Sequence, residues 1–229
     1  MKLLYEGLKQ LAAGDTTTAI FFEKRFDEIA GALEIYIHEI ERFNDAYGLV
    51  KADSRETLIV KHILDSLAPL GHIANFLHAY DPAVSGKTLA DIGSGAGLPG
   101  IPLAIYLDGI QVSLIEKMGR RAGFLRNTAA VLASAFPGLA LSRINVEEIE
   151  WERAPGRFDL LVLRALSPLD NDYVTKLARL LAPGGTIAAY KGKYNTAQTE
   201  LDSIVGFTTE LFPINVPCLD EQRCLAVVR

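Results

Sequence analysis

Residues 89–105 read LADIGSGAGLPGIPLAI. A short apolar run leads into Gly93, Gly95 and Gly97, and a second apolar run follows them. The pattern predicts a strand, a tight turn and a helix, which commits this part of the chain to a parallel α/β sheet. Glycines at these places permit dihedrals closed to other residues and let a ligand lie against the backbone. A bare turn without a ligand is the plainer alternative, and the regular spacing of the glycines disfavours it.

The chain after this motif keeps alternating. KTLADI (87–92), QVSLIE (111–116), LALSRI (139–144), FDLLVL (158–163) and TIAAYKG (186–192) read as strands. Residues 101–107, 119–136 and a segment within 169–185 read as helices, with Pro137-Gly138 and Pro183-Gly184-Gly185 as stops. Two last strands, within 207–216 and 222–229, have no helix between them and predict a hairpin with one antiparallel strand. The fold class is therefore α/β, Rossmann-like, with a mostly parallel seven-stranded sheet and helices on both faces.

An N-terminal helical extension precedes the sheet. Phe22, Phe26, Ile29, Leu33, Ile37, Ile40 and Phe43 recur at three- and four-residue intervals over 19–47. A second helix is predicted over 55–67, capped by Asp53 or Ser54, and a short third one over 72–80. Tyr80-Asp81-Pro82 and Ser85-Gly86 mark a boundary. The expected division is a helical segment, 1–82, packing on a sheet domain, 83–229.

Composition narrows the function. A net charge of −5 argues against broad, non-specific nucleic-acid binding but leaves room for a local basic patch. Two cysteines, no CxxC pair and four scattered histidines predict neither a disulfide scaffold nor a metal site. The N-terminus carries Glu6 and Asp15 and lacks a secretory apolar centre, so a cytoplasmic protein that avoids membranes is expected.

The glycine turn suits two adenosine-bearing ligands. A dinucleotide sets an anionic diphosphate on the turn and the helix N-terminus. Asp91, two residues before Gly93, repels that anion and favours S-adenosylmethionine, whose ammonium and sulfonium are cationic. Alternatively, Asp91 simply accepts bonds from the turn's own donors. Glu116, ending the second strand, suits ribose hydroxyls in either ligand. Residues 145–148 follow the third strand, where adenine is expected.

KHILDSL (61–67), DIGSGAGLPGIPLAI (91–105), GRRAGFLR (119–126), FDLLVLRA (158–165), AYKG (189–192) and VPCLDEQRCLAVVR (216–229) together resemble the RsmG (GidB) family. The resemblance runs from about Phe43 to the C-terminus. It implies a class I methyltransferase fold and S-adenosylmethionine-dependent methylation of a guanine N7 in small-subunit ribosomal RNA. The family's cofactor positions fall on Gly93, Leu98, the Val146-Glu147 pair and Arg164. Asp91, Gly95, Gly97 and Glu116 join them on the physical argument above, Glu116 standing where the family commonly has Asp.

The residues suit that chemistry. Guanine N7 offers a lone pair and no proton, so attack needs alignment rather than a base. No Asn/Asp-Pro-Pro-aromatic motif is present to orient an exocyclic amine. The Pro217-Cys218 pair lies too far along the chain for a cytosine-attacking thiolate and reads as structural.

Arg164, at the end of the fourth strand, is the candidate catalytic residue. It either meets cofactor, RNA phosphate or base, or pairs with a nearby acid such as Asp159 or Asp170. Arg120, Arg121 and Lys191 are candidate RNA contacts, with Lys117, Arg126 and Lys193 nearby; a solvated helix face is the alternative. His62 and Asp65 share a helix face and either support the site or pair with each other. The expected partner is ribosomal RNA or the small subunit, and the expected state is a monomer. A methyltransferase for protein or small molecules, a non-catalytic binding module and a nicotinamide oxidoreductase are the competing readings. Replacing Gly95 by valine (Gly95→Val) is expected to abolish S-adenosylmethionine binding in a calorimetric titration, by filling the backbone approach.

Overall fold

The computed structural model describes residues 2–14, 16–78, 86–107, 109–164 and 167–229, apart from the side chains of 16–18 and 20–24. Phe22, the turn at 80–82 and the expected boundary between 82 and 83 lie outside the described residues and side chains. Seven strands form one sheet: β1 (Thr88–Ile92), β2 (Gln111–Ile115), β3 (Ile144–Glu147), β4 (Phe158–Arg164), β5 (Leu181–Lys191), β6 (Thr209–Ile214) and β7 (Arg223–Val228). Their order is β3-β2-β1-β4-β5-β7-β6. The first five strands pair in parallel. β7 runs antiparallel to both β5 and β6, so the expected hairpin supplies the one reversed strand.

Both faces of the central strands are covered, which is why apolar residues dominate them. On one face Ile92, Leu161 and Leu163 pack with Val174 and Leu177 of α8 (Asn171–Ala178) and Leu201 of α9 (Tyr194–Asp202). On the other, α6 (Gly100–Tyr106) and α7 (Gly119–Ala135) bury Leu103 and Leu125 against Leu89 and Leu114. The N-terminal helices extend this second core. α1 (Lys2–Gly14) and α2 (Thr16–Tyr47) contribute Leu4, Leu8, Ile29, Leu33 and Ile37 to it, so one apolar cluster joins the extension to the sheet.

The predicted helix over 55–67 has an unusual centre. Ser54 caps α3 (Arg55–Leu58), its hydroxyl accepting from the Thr57 amide. A π-helical stretch, Ile59–Leu64, follows, then α4 (Asp65–Leu67) and, after a turn, α5 (Leu70–Leu77). π-Helical turns are rare and frequent at functional sites. This one carries Lys61 and His62 to the end of the sheet.

Two expectations need correction, and two helices lie outside them. The third strand spans Ile144–Glu147 rather than 139–144. Ala140 holds a left-handed φ of +48°, and the Arg143 guanidinium takes the carbonyls of Leu139, Ala140, Ala104 and Leu107, so 139–143 has no ladder to join. Pro183-Gly184-Gly185 lies within β5, at a register break between the Phe158–Leu181 and Leu160–Thr186 pairs, instead of ending a helix. Helices α1 and α9 were not anticipated. Each is a short amphipathic segment whose apolar face finds its partner only in the assembled fold.

The extension is also bonded to the glycine turn. Tyr36 of α2 is fully buried and donates its hydroxyl proton to the Ala96 carbonyl at 2.8 Å. Burial pushes the Tyr36 pKa up, so it stays a neutral donor. The variant Tyr36→Phe is expected to lose about 1–3 kcal/mol of unfolding free energy in denaturant titration, because a buried carbonyl is left unpaired. Unfolding identical to wild type would show that the tie contributes nothing.

Candidate active site

The glycine turn is stitched to its surroundings by two carboxylates. Asp91 is 1% exposed; its Oδ2 accepts from the Ser94 hydroxyl at 2.8 Å and the Gly100 amide at 2.9 Å. Its other oxygen, Oδ1, is buried with no hydrogen-bond partner. Burial, partly offset by those two bonds and by Arg164, raises the Asp91 pKa to about 6. Glu116 accepts from the Gly95 amide at 2.9 Å and from the Met118 amide at 2.8 Å. The Ser94 amide reaches the Ile115 carbonyl at 3.0 Å.

Gly95 and Gly97 play different parts. Gly95 has φ +60°, and a Cβ there would come no closer than 3.9 Å to any neighbour, which leaves open space over the turn. Gly97 has φ +94°, and a Cβ would stand 2.5 Å from Ile101 Cδ1 and 3.0 Å from Leu125 Cδ2. Gly97 therefore also has a packing role under α6, beside its expected one at the ligand. Gly100, which sequence reasoning missed, is similar: a Cβ there would meet Leu114 at 2.4 Å and Asp91 Oδ2 at 2.7 Å. The Leu98 side chain is buried in the core that α6 and α7 share with the sheet.

The other candidates line up along the same end of the sheet. Val146 and Glu147 lie within β3, beside Leu114 and Ile115, rather than in a loop after it. Arg164 ends β4 immediately after Leu163, the register partner of Ile92, so it stands next to the start of the glycine turn. Two expected RNA contacts also make internal bonds. Arg121 donates to the Gly48 carbonyl at 3.0 Å, tying α7 to the end of α2. Lys191 pairs with Glu200 at 2.6 Å and reaches the Ser167 carbonyl at 3.2 Å. Arg120 remains exposed, without an ion pair among the described residues. Cys218 is exposed in the β6–β7 connection, which lies at this same end of the sheet, beyond the Ile214–Arg223 pair.

Arg164 meets the N-terminal extension. Its acid partner is Asp65, at 3.3 Å, rather than Asp159 or Asp170. Asp159 is held by Lys87 at 2.7 Å, and Asp170 caps α8. Asp65 also receives Arg223 Nε of β7 at 3.0 Å. Arg164 Nη2 lies 3.3 Å from His62 Nδ1, and His62 Nε2 lies 3.2 Å from the Lys51 carbonyl. A guanidinium only donates, so Nδ1 is the acceptor and Nε2 carries the proton. Burial and the neighbouring Arg164 lower the His62 pKa to about 4. His62 and Asp65 thus meet through Arg164 rather than each other. A cleft of about 480 Å³ opens beside them, with Tyr190 in its wall donating to the Ser66 carbonyl at 2.9 Å. Sequence reasoning missed Tyr36, Tyr190 and Arg223 as candidate site residues, because nothing local marks a tyrosine or arginine for a partner sixty or more residues away.

The fold is that of solved methyltransferases. A magnesium protoporphyrin IX methyltransferase from Synechocystis PCC 6803 superposes with TM-score 0.53 at 16% identity, covering 83% of this chain and 90% of its own. A predicted O-methyltransferase from Agrobacterium tumefaciens gives 0.51 at 24% identity, covering 67% and 78%. At family level the match is closer. The model of the GidB family, rRNA small subunit methyltransferase G, matches residues 29–226, and this chain belongs to that family. It is 35% identical over 99% of its length to Ribosomal RNA small subunit methyltransferase G of Treponema pallidum subsp. pallidum, of which 92% is covered. It is 34% identical over 87% of its length to the protein so named from Stenotrophomonas maltophilia, of which 86% is covered. Among the described residues no helix is long and apolar enough to cross a membrane.

The Asp91 shift has a consequence for stability. Unfolded, this carboxyl ionises near 3.8; folded, it keeps its proton to about 6. Stability from this group is therefore full below about pH 4 and is lost as pH rises through 6. Relative to wild type, Asp91→Asn is expected to gain thermal stability between pH 5 and 7.5. A melting-temperature difference that stays constant over that range would contradict the buried charge.

Proposed function

We propose that this chain methylates N7 of a guanine in small-subunit ribosomal RNA, using S-adenosylmethionine. Its membership of the GidB family over residues 29–226 carries this reading. The turn fits the cofactor: Gly95 leaves backbone exposed to a ligand, and the buried Asp91 Oδ1 lacks a partner that a cationic group would provide. In this assignment Asp91, Gly93, Gly95, Glu116, Val146, Glu147 and the Leu98 backbone hold it, and Gly97 shapes the turn. The Glu116 oxygens keep spare lone pairs for ribose hydroxyls beside the amides they already accept. When bound, the cofactor supplies an electrophilic methyl group. The helical segment, 1–82, serves as a buttress for the methyltransferase domain, 83–229.

The side chains near Arg164 suit an acceptor that needs no base. His62 has both ring nitrogens engaged and is neutral well below pH 7. The Tyr190 hydroxyl is spent on Ser66, and burial raises its pKa. Burial likewise raises the Cys224 thiol, which points at the carbonyls of Lys191 and Gly192. N7 of guanine carries no proton to remove, so the residues have only to align it. Arg164, fixed by Asp65 and His62, is the side chain placed to contact both ligands.

Small ribosomal subunits incubated with methyl-labelled cofactor are expected to acquire label at one guanine N7. Label on protein alone, or none, would reject the proposal. Replacement of Arg164 by alanine (Arg164→Ala) is expected to cut turnover by about a hundredfold, near 2.7 kcal/mol of barrier. Its unfolding free energy should fall by only about 1–3 kcal/mol, since Asp65 retains Arg223. Wild-type turnover in that variant would remove Arg164 from the site.

A further inference from the structure

The cleft beside Arg164 has a cationic mouth closed by a replaceable carboxylate. Lys61, on the π-helical turn, and Arg223, at the start of β7, both line it. Glu221 bridges them: Lys61 Nζ donates to one oxygen at 2.6 Å and Arg223 Nη2 to the other at 3.0 Å. The Glu221 and Lys61 side chains are 52% and 44% exposed. Exposed pairs of this kind stabilise a fold by little. A phosphate offers the same two donors more charge and equivalent acceptors, so it displaces Glu221 at small cost. Arg223 Nε stays on Asp65 throughout, which keeps the fork aimed.

Behind the mouth the walls change character. Pro69, Tyr190 and Ile214 supply apolar surface, and Gly192 adds a stretch without a side chain. A volume of about 480 Å³ falls within the range of small-ligand sites. At its inner border stands Arg164, next to the glycine turn. The reading above requires access to N7, which in an RNA helix lies in a deep, narrow groove that side chains do not enter. Enzymes acting on such an atom take the nucleotide out of the stack or use an unpaired one.

The geometry points to this cleft as the seat of the acceptor nucleotide: its phosphate is bridged by Lys61 and Arg223 in place of Glu221, and its purine lies on the Pro69–Tyr190–Ile214 wall with one edge toward Arg164. This rests on the methyltransferase reading. Glu221 then acts as a stand-in anion that keeps the mouth ordered until RNA arrives. The distinguishing consequence is one of sign: removing an acid here strengthens substrate binding.

Two variants decide it, each compared with wild type for cofactor affinity, melting temperature, filter binding of small ribosomal subunits and methylation KM. A Cβ at Gly192 meets nothing within 4 Å, and its φ lies outside the left-handed region, so a side chain is accommodated without strain. Gly192→Phe is expected to weaken subunit binding and raise KM by about tenfold, with cofactor affinity and melting temperature unchanged. Glu221→Gln is expected to tighten subunit binding and lower KM by about two- to fivefold, as a competing anion is removed. Gly192→Phe binding subunits as wild type does, or Glu221→Gln failing to tighten them, overturns the inference. Wild-type protein that binds subunits without methylating them sinks the methyltransferase reading instead, and the binding results still decide the cleft. Wild-type protein that does neither overturns both.

Discussion

Asp91 sits under the glycine turn with one oxygen bonded to Ser94 and Gly100 and the other to nothing. Burial of a carboxyl group is costly unless hydrogen bonds replace its hydration. Here the replacement is half complete, and the group resists ionisation up to about pH 6. The same two bonds fix the path of the turn and the first amide of α6. From that path follow the open space at Gly95, the close packing at Gly97 and the reach of Glu116 to the Gly95 amide. The turn is rigid because its own polar groups hold it, and the incomplete solvation of Asp91 favours an incoming positive charge.

The N-terminal extension is part of the same construction. Its helices share a core with one face of the sheet, and three of its side chains reach the functional edge directly. Tyr36 bonds the turn, His62 bonds Arg164, and Asp65 joins Arg164 to Arg223. Asp65 is a buried carboxylate between two guanidinium groups, an arrangement that contributes little net stability but fixes geometry. It links the end of β4 to the start of β7 through a helix outside the sheet. The fixed Arg164 is therefore a product of three parts of the chain distant in sequence.

Much of the fold was legible because its signals are local. The strands at 88–92, 111–115 and 158–163 are mostly apolar and mostly buried, with covered faces on both sides, and Pro and Gly punctuate the chain between them. The third strand was misplaced because LALSRI has strand-like composition, while the Arg143 guanidinium, bonding four carbonyls, takes 139–143 out of the ladder. The candidate site was legible in part for the same reason. Gly93, Gly95, Glu116 and Arg164 are marked by their places at strand ends. Arg121 and Lys191 looked like free cations in sequence; Gly48 and Glu200, which hold them, are 73 and 9 residues away.

By itself the sequence determined the number and order of the strands, most of the helices, the place of the turn and the acids beside it. These follow from periodicity and from residue types with narrow backbone preferences, which act over a few neighbours. Tertiary structure alone decided which cations bond within the fold and which do not, and which glycine packs and which leaves room. It also brought His62, Asp65, Arg164, Tyr190 and Arg223 around one cleft. The physical reason is that burial and hydrogen-bond pairing depend on distances between residues far apart in the chain, and those distances are set only when the sheet and the extension close on a common core.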